Sequence, residues 1–532
     1  MKYFGHFFAF FLFCSIVPAW GEHSSYDLIL QNGKIIDGSG NPWFIGDIGV
    51  KEGKIVSIGH FCKNNECNIK RVIDVSGLIV SPGFIDVHVH ADKEIEQIYT
   101  ADNYLFDGVT SIINGNCGFS NTNFKKHFEN LHDKLSINMG TLIGLGSVRN
   151  VVMGSENREP SEKEQYKMEE LINQAMLDGA FGISTGLIYV PGTYSKLSEI
   201  IGLAKVAAKY NGIYVSHIRN ESEKLFESIE EAISIGREAK IPVQISHFKV
   251  MNKKLWNQSS QSIALIENAR NHGIDVTVDI YPYTASSTLL DKLLPTWSLA
   301  DGQGPFIKRL KDPSVRKKIS KEMKETIGKI EDNKHLDYAV VASSPWDTSL
   351  EGKNISQINK ERGKKNTLDE EIQTVLDMME KGKTFMIYHS MDQRDVDRIL
   401  QYPFSMVASD GSIVELGKGV PHPRSYGTNA RVLSNYIRER KIIRLEDGIR
   451  KMTTLPAQRF KIFDRGLLRV GNWADIVVFD EKTVSDTSTF NTPHSYSKGI
   501  NFVIVNGEIV IENEHHKGTR SGKVLFGPGM VK

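Results

Sequence analysis

At 532 residues the chain is too long for one small core and long enough for a barrel with an accessory domain. Its 65 basic and 64 acidic residues leave a formal charge of +1, which excludes a general electrostatic attraction to nucleic acid or to an anionic membrane. With 40% hydrophobic and 24% charged residues the composition is that of an ordinary globular protein, and the expected partner is a small molecule.

The first residues differ from the rest. Lys2 precedes an apolar run from Phe7 to Val17, followed by Ala19, Trp20 and Gly21. A charged start, a short apolar stretch and small residues at a cut site form a secretory-signal pattern over residues 1–21. The expected location is therefore outside the cytoplasm, either periplasmic or secreted. An uncleaved anchor or a buried first helix is the alternative. The run is shorter than the ~20 residues of a membrane span, and no later segment is long and apolar enough, so no stable span is expected once the signal is removed. Cys62 and Cys67 flank a polar loop and are close enough for a disulfide in an exported protein. With Cys14 in the signal, Cys117 is left unpaired.

From Tyr26 to Val80 short alternating runs are punctuated by glycine turns, and the same texture returns from Leu467 and from Phe502. Neither end holds enough strands for a core of its own, which predicts one small β-sandwich built from residues 22–82 and 462–532. Between them, residues 83–461 alternate apolar runs with amphipathic stretches. The predicted strands are Phe84–His90, Val109–Asn114, Met139–Leu145, Ala180–Thr185, Ile213–His217, Val243–His247, Ile274–Ile280 and Phe404–Asp410. This is the α/β pattern of a (β/α)8 TIM barrel. One further run, Thr384–His389, leaves the count open by one. From about residue 285 to 344 the spacing breaks into a lysine- and glutamate-rich helical stretch. Its mixed signs read as a solvated insertion, and its place after a barrel strand lets it cover the barrel mouth.

Residues with metal-binding or proton-transfer chemistry gather at the ends of these strands. Side chains two apart on a strand share a face, so His88 and His90 of GFIDVHVH aim together at the C-terminal mouth, where two imidazoles can hold a divalent metal. Cys117 follows VTSIINGN; its thiolate is a strong zinc ligand, although a lone cysteine is more often a small buried hydrophobe. His217 ends IYVSH and His247 ends VQISH, one strand–helix–strand unit apart and thus on adjacent strands. Asp410 ends FSMVASD and can bind metal, act as general base, or do both; the alternative is a plain Asp-Gly turn. No Gly-x-Ser-x-Gly elbow is present to supply a serine nucleophile.

GFIDVHVH, GNCGFS, STGL, VSHIRNE, QISHFK, DIYPYTAS, ASDG, PHPRSYG and GLLRVGNWADIVVFD stand in the order found in N-acyl-D-amino-acid deacylases (D-aminoacylases) of the amidohydrolase superfamily. The chain resembles that family from about Tyr26 to about Val524. DxHxH is shared across the superfamily; GNCGFS is far more specific, because its cysteine replaces the carboxylated lysine that bridges two metals in many relatives. The resemblance implies a tight zinc on Cys117, His217 and His247, a second, weaker metal position at His88 and His90, and a catalytic aspartate at Asp410, itself a potential metal ligand. It further implies that Lys249, Tyr281 or Tyr283, and Arg424 hold the substrate carboxylate, a task for which a guanidinium is well shaped. The implied reaction is zinc-dependent hydrolysis of an N-acyl-D-amino acid to a carboxylate and a free D-amino acid. A cyclic-amide hydrolase of the hydantoinase or dihydropyrimidinase kind is the rival enzyme, and the cysteine of GNCGFS argues against it. A non-catalytic scaffold is the rival outside enzymes, and the presence of every expected ligand position argues against that. Side-chain preference and oligomeric state stay open.

Overall fold

The computed structural model describes residues 25–61, 67–331 and 334–530, so the expected signal segment, Cys14 and Cys62 lie outside the described residues. Cys67 is disulfide-bonded, and Cys117 is a free buried thiol.

Each of the eight apolar runs of the central region forms a strand of one parallel barrel. The strands, in order, are Phe84–Asp86 continued by Val89–His90, Val109–Asn114, Asn138–Thr141 continued by Ile143–Gly144, Gly182–Gly186, Ile213–His217, Val243–Ile245, Val276–Ile280 and Ser405–Val407. Neighbours pair in parallel from the first to the eighth, and Gly411–Ser412 pairs with Val89–His90 to close the ring. Helices cover the outside, so the strands are buried on both faces and read as unbroken apolar runs. The helix Leu225–Ala239 shows the complementary pattern: Ile229, Ala232, Ile233 and Gly236 are buried while its other face meets water. Among the described residues no helix is long and apolar enough to cross a membrane.

Between the seventh and eighth strands the chain leaves the barrel. Ser286–Leu289, Ala339–Ser343 and Phe385–Tyr388 form an antiparallel sheet with Phe385–Tyr388 in the middle. The helices Gln303–Lys311, Pro313–Glu331, Ile355–Glu361 and Leu368–Lys381 accompany it, around a core that includes Leu290, Phe306, Met323, Val375 and Tyr388. The surplus run Thr384–His389 therefore belongs to the insertion, which reaches Tyr388 rather than ending near Ser344. Met386, Ile387 and Tyr388 are buried in the central strand of that small sheet, and such a strand looks the same in sequence as a barrel strand.

Strands from both chain ends share one sheet. Ile79–Pro82 pairs antiparallel with Ile476–Phe479, which joins the N-terminal strands to the C-terminal ones. Nine strands are linked by hydrogen bonds into one sheet domain assembled from both chain ends, around one shared core. The reason is the long strand Ser25–Ile35, irregular between Leu30 and Gly33. It pairs with Phe44–Lys51 on one edge, and on the other with Asn68–Asp74 and then Ile79–Pro82. Leu28, Leu30, Ile48, Val50, Ile476, Val478 and Ile504 belong to its core, so neither end is a unit alone. Asp475 of the GNWADIVVFD motif ties this sheet to the barrel. It ion-pairs with Arg465 and accepts hydrogen bonds from Asn506 N (2.7 Å) and from Asn138 Nδ2 (3.0 Å) on the third barrel strand.

Candidate active site

The barrel mouth gathers the polar strand ends. Cys117 lies in the tight turn after the second strand, where Gly115 (φ +76°) admits no side chain: a Cβ would meet Leu142 O at 2.1 Å. The turn delivers the thiol beside three imidazoles. Cys117 Sγ lies 3.4 Å from His88 Nε2, 3.5 Å from His217 Nδ1 and 3.7 Å from His247 Nε2, with 2.7 Å between the last two nitrogens. These separations suit ligands that share an ion bonded at about 2.0–2.3 Å. On the other side, Asp410 Oδ1 lies 3.1 Å from His90 Nε2 and 3.4 Å from His88 Nε2. His88 thus stands between two donor groups, one with Cys117 and His247, the other with His90 and Asp410.

Cys117 (φ 52°), His247 (φ 36°) and Asp410 (φ 51°) all adopt left-handed backbone. For a non-glycine residue that conformation costs about 1–3 kcal/mol and persists only where the surroundings impose it. Here the imposing bonds are visible. The Asp279 carboxylate accepts from His247 N (2.7 Å) and Gln244 Nε2 (2.7 Å). Asp86 accepts from His88 N and Ser409 N (both 3.1 Å), fastening the first strand to the eighth.

Electrostatics favour the anionic forms of the thiol and the acid. Burial alone pushes the Cys117 thiol up, but His88 and His217 outweigh it and hold it well below the ordinary thiol range. Burial likewise pushes the Asp410 carboxyl up, and Arg424, His88 and His247 together hold it well below the ordinary carboxylate range. The donor set has the chemistry of a zinc site: a thiolate-prone cysteine faced by one nitrogen each of the buried His88, His217 and His247 imidazoles.

Glu221 was not among the residues singled out from the sequence. Its buried carboxylate lies 3.0 Å from His247 Nδ1 and 3.7 Å from His217 Nε2, and it ion-pairs with Lys249 Nζ. It therefore stands behind two candidate ligands on the nitrogens that face away from Cys117, the place of a carboxylate that fixes ring orientation. Glu221 closes VSHIRNE, four residues past His217, but nothing in that loop sequence marks the acid as buried.

Of the expected carboxylate-holding residues, Lys249, Tyr281 and Arg424 come together. Lys249 Nζ is 5.8 Å and the Arg424 guanidinium 4.7 Å from the Tyr281 ring centroid. Arg424 Nη1 lies 2.8 Å from Asp410 Oδ2 and remains a buried donor without a hydrogen bond. His422 of PHPRSYG sets this arginine in place, accepting from Arg424 N at 3.0 Å while its Nε2 bonds Ala285 O at 2.9 Å. Tyr283 does not join them. Its amide donates to Tyr281 O (3.0 Å), closing a three-residue turn around Pro282 that sends its ring toward Arg431, His422 and Phe490.

A closed parallel barrel with paired histidines at its first strand end, further histidines on neighbouring strands and an aspartate on the last defines the class. The amidohydrolase family model matches residues 79–510, and the chain belongs to that family. Within it the chain is 33% identical to the D-aminoacylase of Alcaligenes xylosoxydans xylosoxydans, covering 95% of this chain and 98% of that protein. It is also 33% identical to the N-acyl-D-glutamate deacylase of the same organism, covering 94% and 96%. Among solved structures it is similar to the N-acyl-D-glutamate deacylase of Bordetella bronchiseptica in complex with zinc and a phosphonate mimic of the tetrahedral intermediate. That similarity has a TM-score of 0.81 and 32% identity over 94% of this chain and 100% of the other.

Proposed function

We propose that the protein is a zinc-dependent N-acyl-D-amino-acid deacylase, hydrolysing the amide to a carboxylate and a free D-amino acid. The observation that carries this reading is the juxtaposition of a buried thiol, imidazoles and an anionic Asp410 with Arg424 and Lys249 beside them. Cys117, His217 and His247 are the residues to hold zinc, and His88 with His90 and Asp410 form a second, more open donor group. Bound zinc lowers the pKa of water to about 7 and polarises a carbonyl, the chemistry amide hydrolysis needs at neutral pH.

Asp410 is the general base: its carboxylate takes a proton from the attacking water and gives it to the departing nitrogen. The guanidinium of Arg424 lies beside that carboxylate, and Arg424 and Lys249 both lie near the Tyr281 ring. A substrate α-carboxylate drawn to these cations presents its amide to Asp410 in one orientation. With carboxylate and amide both held, the α-carbon is fixed, and only one hand can place its side chain in a given pocket. Glu221 orients His247 and His217 and holds Lys249, so it couples the metal ligands to the carboxylate-binding group.

We also propose that the protein is exported. The Lys2, Phe7–Val17 and Ala19–Gly21 pattern supports this, as does the disulfide at Cys67. N-terminal sequencing of mature protein should begin near residue 22, and an intact Met1 in the exported fraction would count against cleavage.

The function is tested with matched N-acetyl-D- and N-acetyl-L-amino acids before and after metal removal. Hydrolysis of the D series alone, abolished by a chelator and restored by zinc, is expected. Equal rates on both hands, or full activity in chelator, would overturn the reading.

A further inference from the structure

We infer that Asp107, together with Asn103 and Ser497, is a positioning residue for Arg424, acting through the short helix Arg424–Arg431; this rests on the deacylase reading above, in which Arg424 holds the substrate carboxylate. Both ends of that helix serve the carboxylate-holding group. Arg424 opens it, and Arg431 closes it. Arg431 Nε donates to Pro282 O at 2.8 Å, inside the turn that separates Tyr281 from Tyr283. Whatever fixes the helix therefore fixes the guanidinium and supports the turn that carries the Tyr281 ring.

The helix is broken in its middle and fastened from outside. Gly427 has non-helical backbone (φ −137°, ψ 24°), and a Cβ there would meet Asp486 Cβ at 2.8 Å. Asp107 stands just before the second barrel strand and turns its whole carboxylate to the second half of the helix. Oδ2 accepts from Asn429 N (2.7 Å) and Asn429 Nδ2 (3.0 Å). Oδ1 accepts from Ala430 N (3.0 Å) and from Ser497 Oγ (2.8 Å), which also lies 3.2 Å from Tyr426 O. Asn103 holds the first half: its Nδ2 donates to Ser425 O (2.6 Å), next to Arg424, and to Ser412 O (3.0 Å), two residues past Asp410. Asn103, Asp107, Asn429 and Ser497 are all buried, so a bond lost here is not replaced by water. Each carboxylate oxygen of Asp107 receives a backbone N–H. An amide in its place therefore turns an NH2 against a donor in either orientation. Asp107 belongs to neither metal-donor group, which separates its role from metal holding.

The test compares an N-acetyl-D-amino acid with its carboxamide, which lacks the charge Arg424 would hold, on the zinc-loaded full chain. Displacing a positioning group by ~1 Å costs up to ~10²-fold. In Asp107→Asn the ratio of kcat/KM for acid over carboxamide should fall by ~10-fold or more, chiefly through KM for the acid, with zinc content unchanged. A merely structural role would lower both substrates alike and leave the ratio where it was, and that result overturns the inference. Arg424→Met supplies the second arm. Adding Asp107→Asn to it should cost less than the same change costs in the wild type, because the two act along one route. Equal fold-losses in both backgrounds overturn the inference. Ser497→Ala removes a single bond and keeps the question open to measurement if Asp107→Asn does not fold. It should lower the same ratio by ~3-fold or more, and an unchanged ratio contradicts the proposal. A wild type that cleaves acid and carboxamide equally also overturns the inference, since Arg424 would then hold no carboxylate. A wild type that cleaves no D-amide overturns the deacylase reading itself.

Discussion

On one side of the barrel mouth Cys117, His217 and His247 are all removed from solvent, with the Glu221 carboxylate behind two of them. On the other side His88 and His90 share the single carboxylate of Asp410, His90 keeps 30% of its side chain exposed, and Arg424 reaches the same carboxylate at 2.8 Å. The first group has a soft ligand, no water to compete with it and a carboxylate to orient its rings. The second must divide its acid between two imidazoles and a guanidinium. On the proposed reading, the difference teaches how one site would hold a metal firmly and still keep a carboxylate for moving protons.

The sharpest way to break that comparison is Cys117→Ala. It removes the thiolate from the buried group, and a folded variant should lose both bound zinc and at least ~10³-fold in kcat/KM, as metal analysis beside the assay will show. Retention of stoichiometric zinc would mean that His88, His90 and Asp410 hold the metal instead. Arg424→Met tests the other side. Asp410 must be ionised to accept a proton, and Arg424 is the strongest of the groups that hold it down. Loss of the cation raises the Asp410 pKa, so the acid limb of the pH–rate profile should move to higher pH by about one unit or more, with a raised KM as well. An unmoved acid limb would deny the coupling. Glu221→Gln keeps the size and removes the charge behind His247; zinc affinity should fall ~10–100-fold in competition with a chromophoric chelator. His90→Asn should have the smallest effect on metal content, less than ~10-fold in affinity, because its group is the open one. If His90→Asn strips zinc as completely as Cys117→Ala, the two sides are not distinct.

Much of this was legible in the sequence for a physical reason. Parallel barrel strands are short apolar runs that end in polar residues at the mouth, so GFIDVHVH, IYVSH, VQISH and FSMVASD announce both a strand and its terminal side chain. The extent of the insertion was not legible, because Phe385–Tyr388 is buried in a small antiparallel sheet and has the same apolar signature. Nor was the choice between Tyr281 and Tyr283, since residues two apart should share a side until the turn around Pro282 separates them. Glu221 was hidden by its place in a loop, where an acid ordinarily faces water; only the fold shows that it is buried against Lys249.

The division of labour between metal holding and proton transfer is tested most directly by Asp410→Asn, with zinc content and N-acetyl-D-amino-acid hydrolysis measured on the same folded sample. The prediction is near-normal zinc with kcat reduced by ~10²–10⁴-fold, the usual contribution of a general base. Near-normal activity with zinc retained would remove Asp410 from the reaction, and loss of zinc would make it a ligand of the firmly held metal instead.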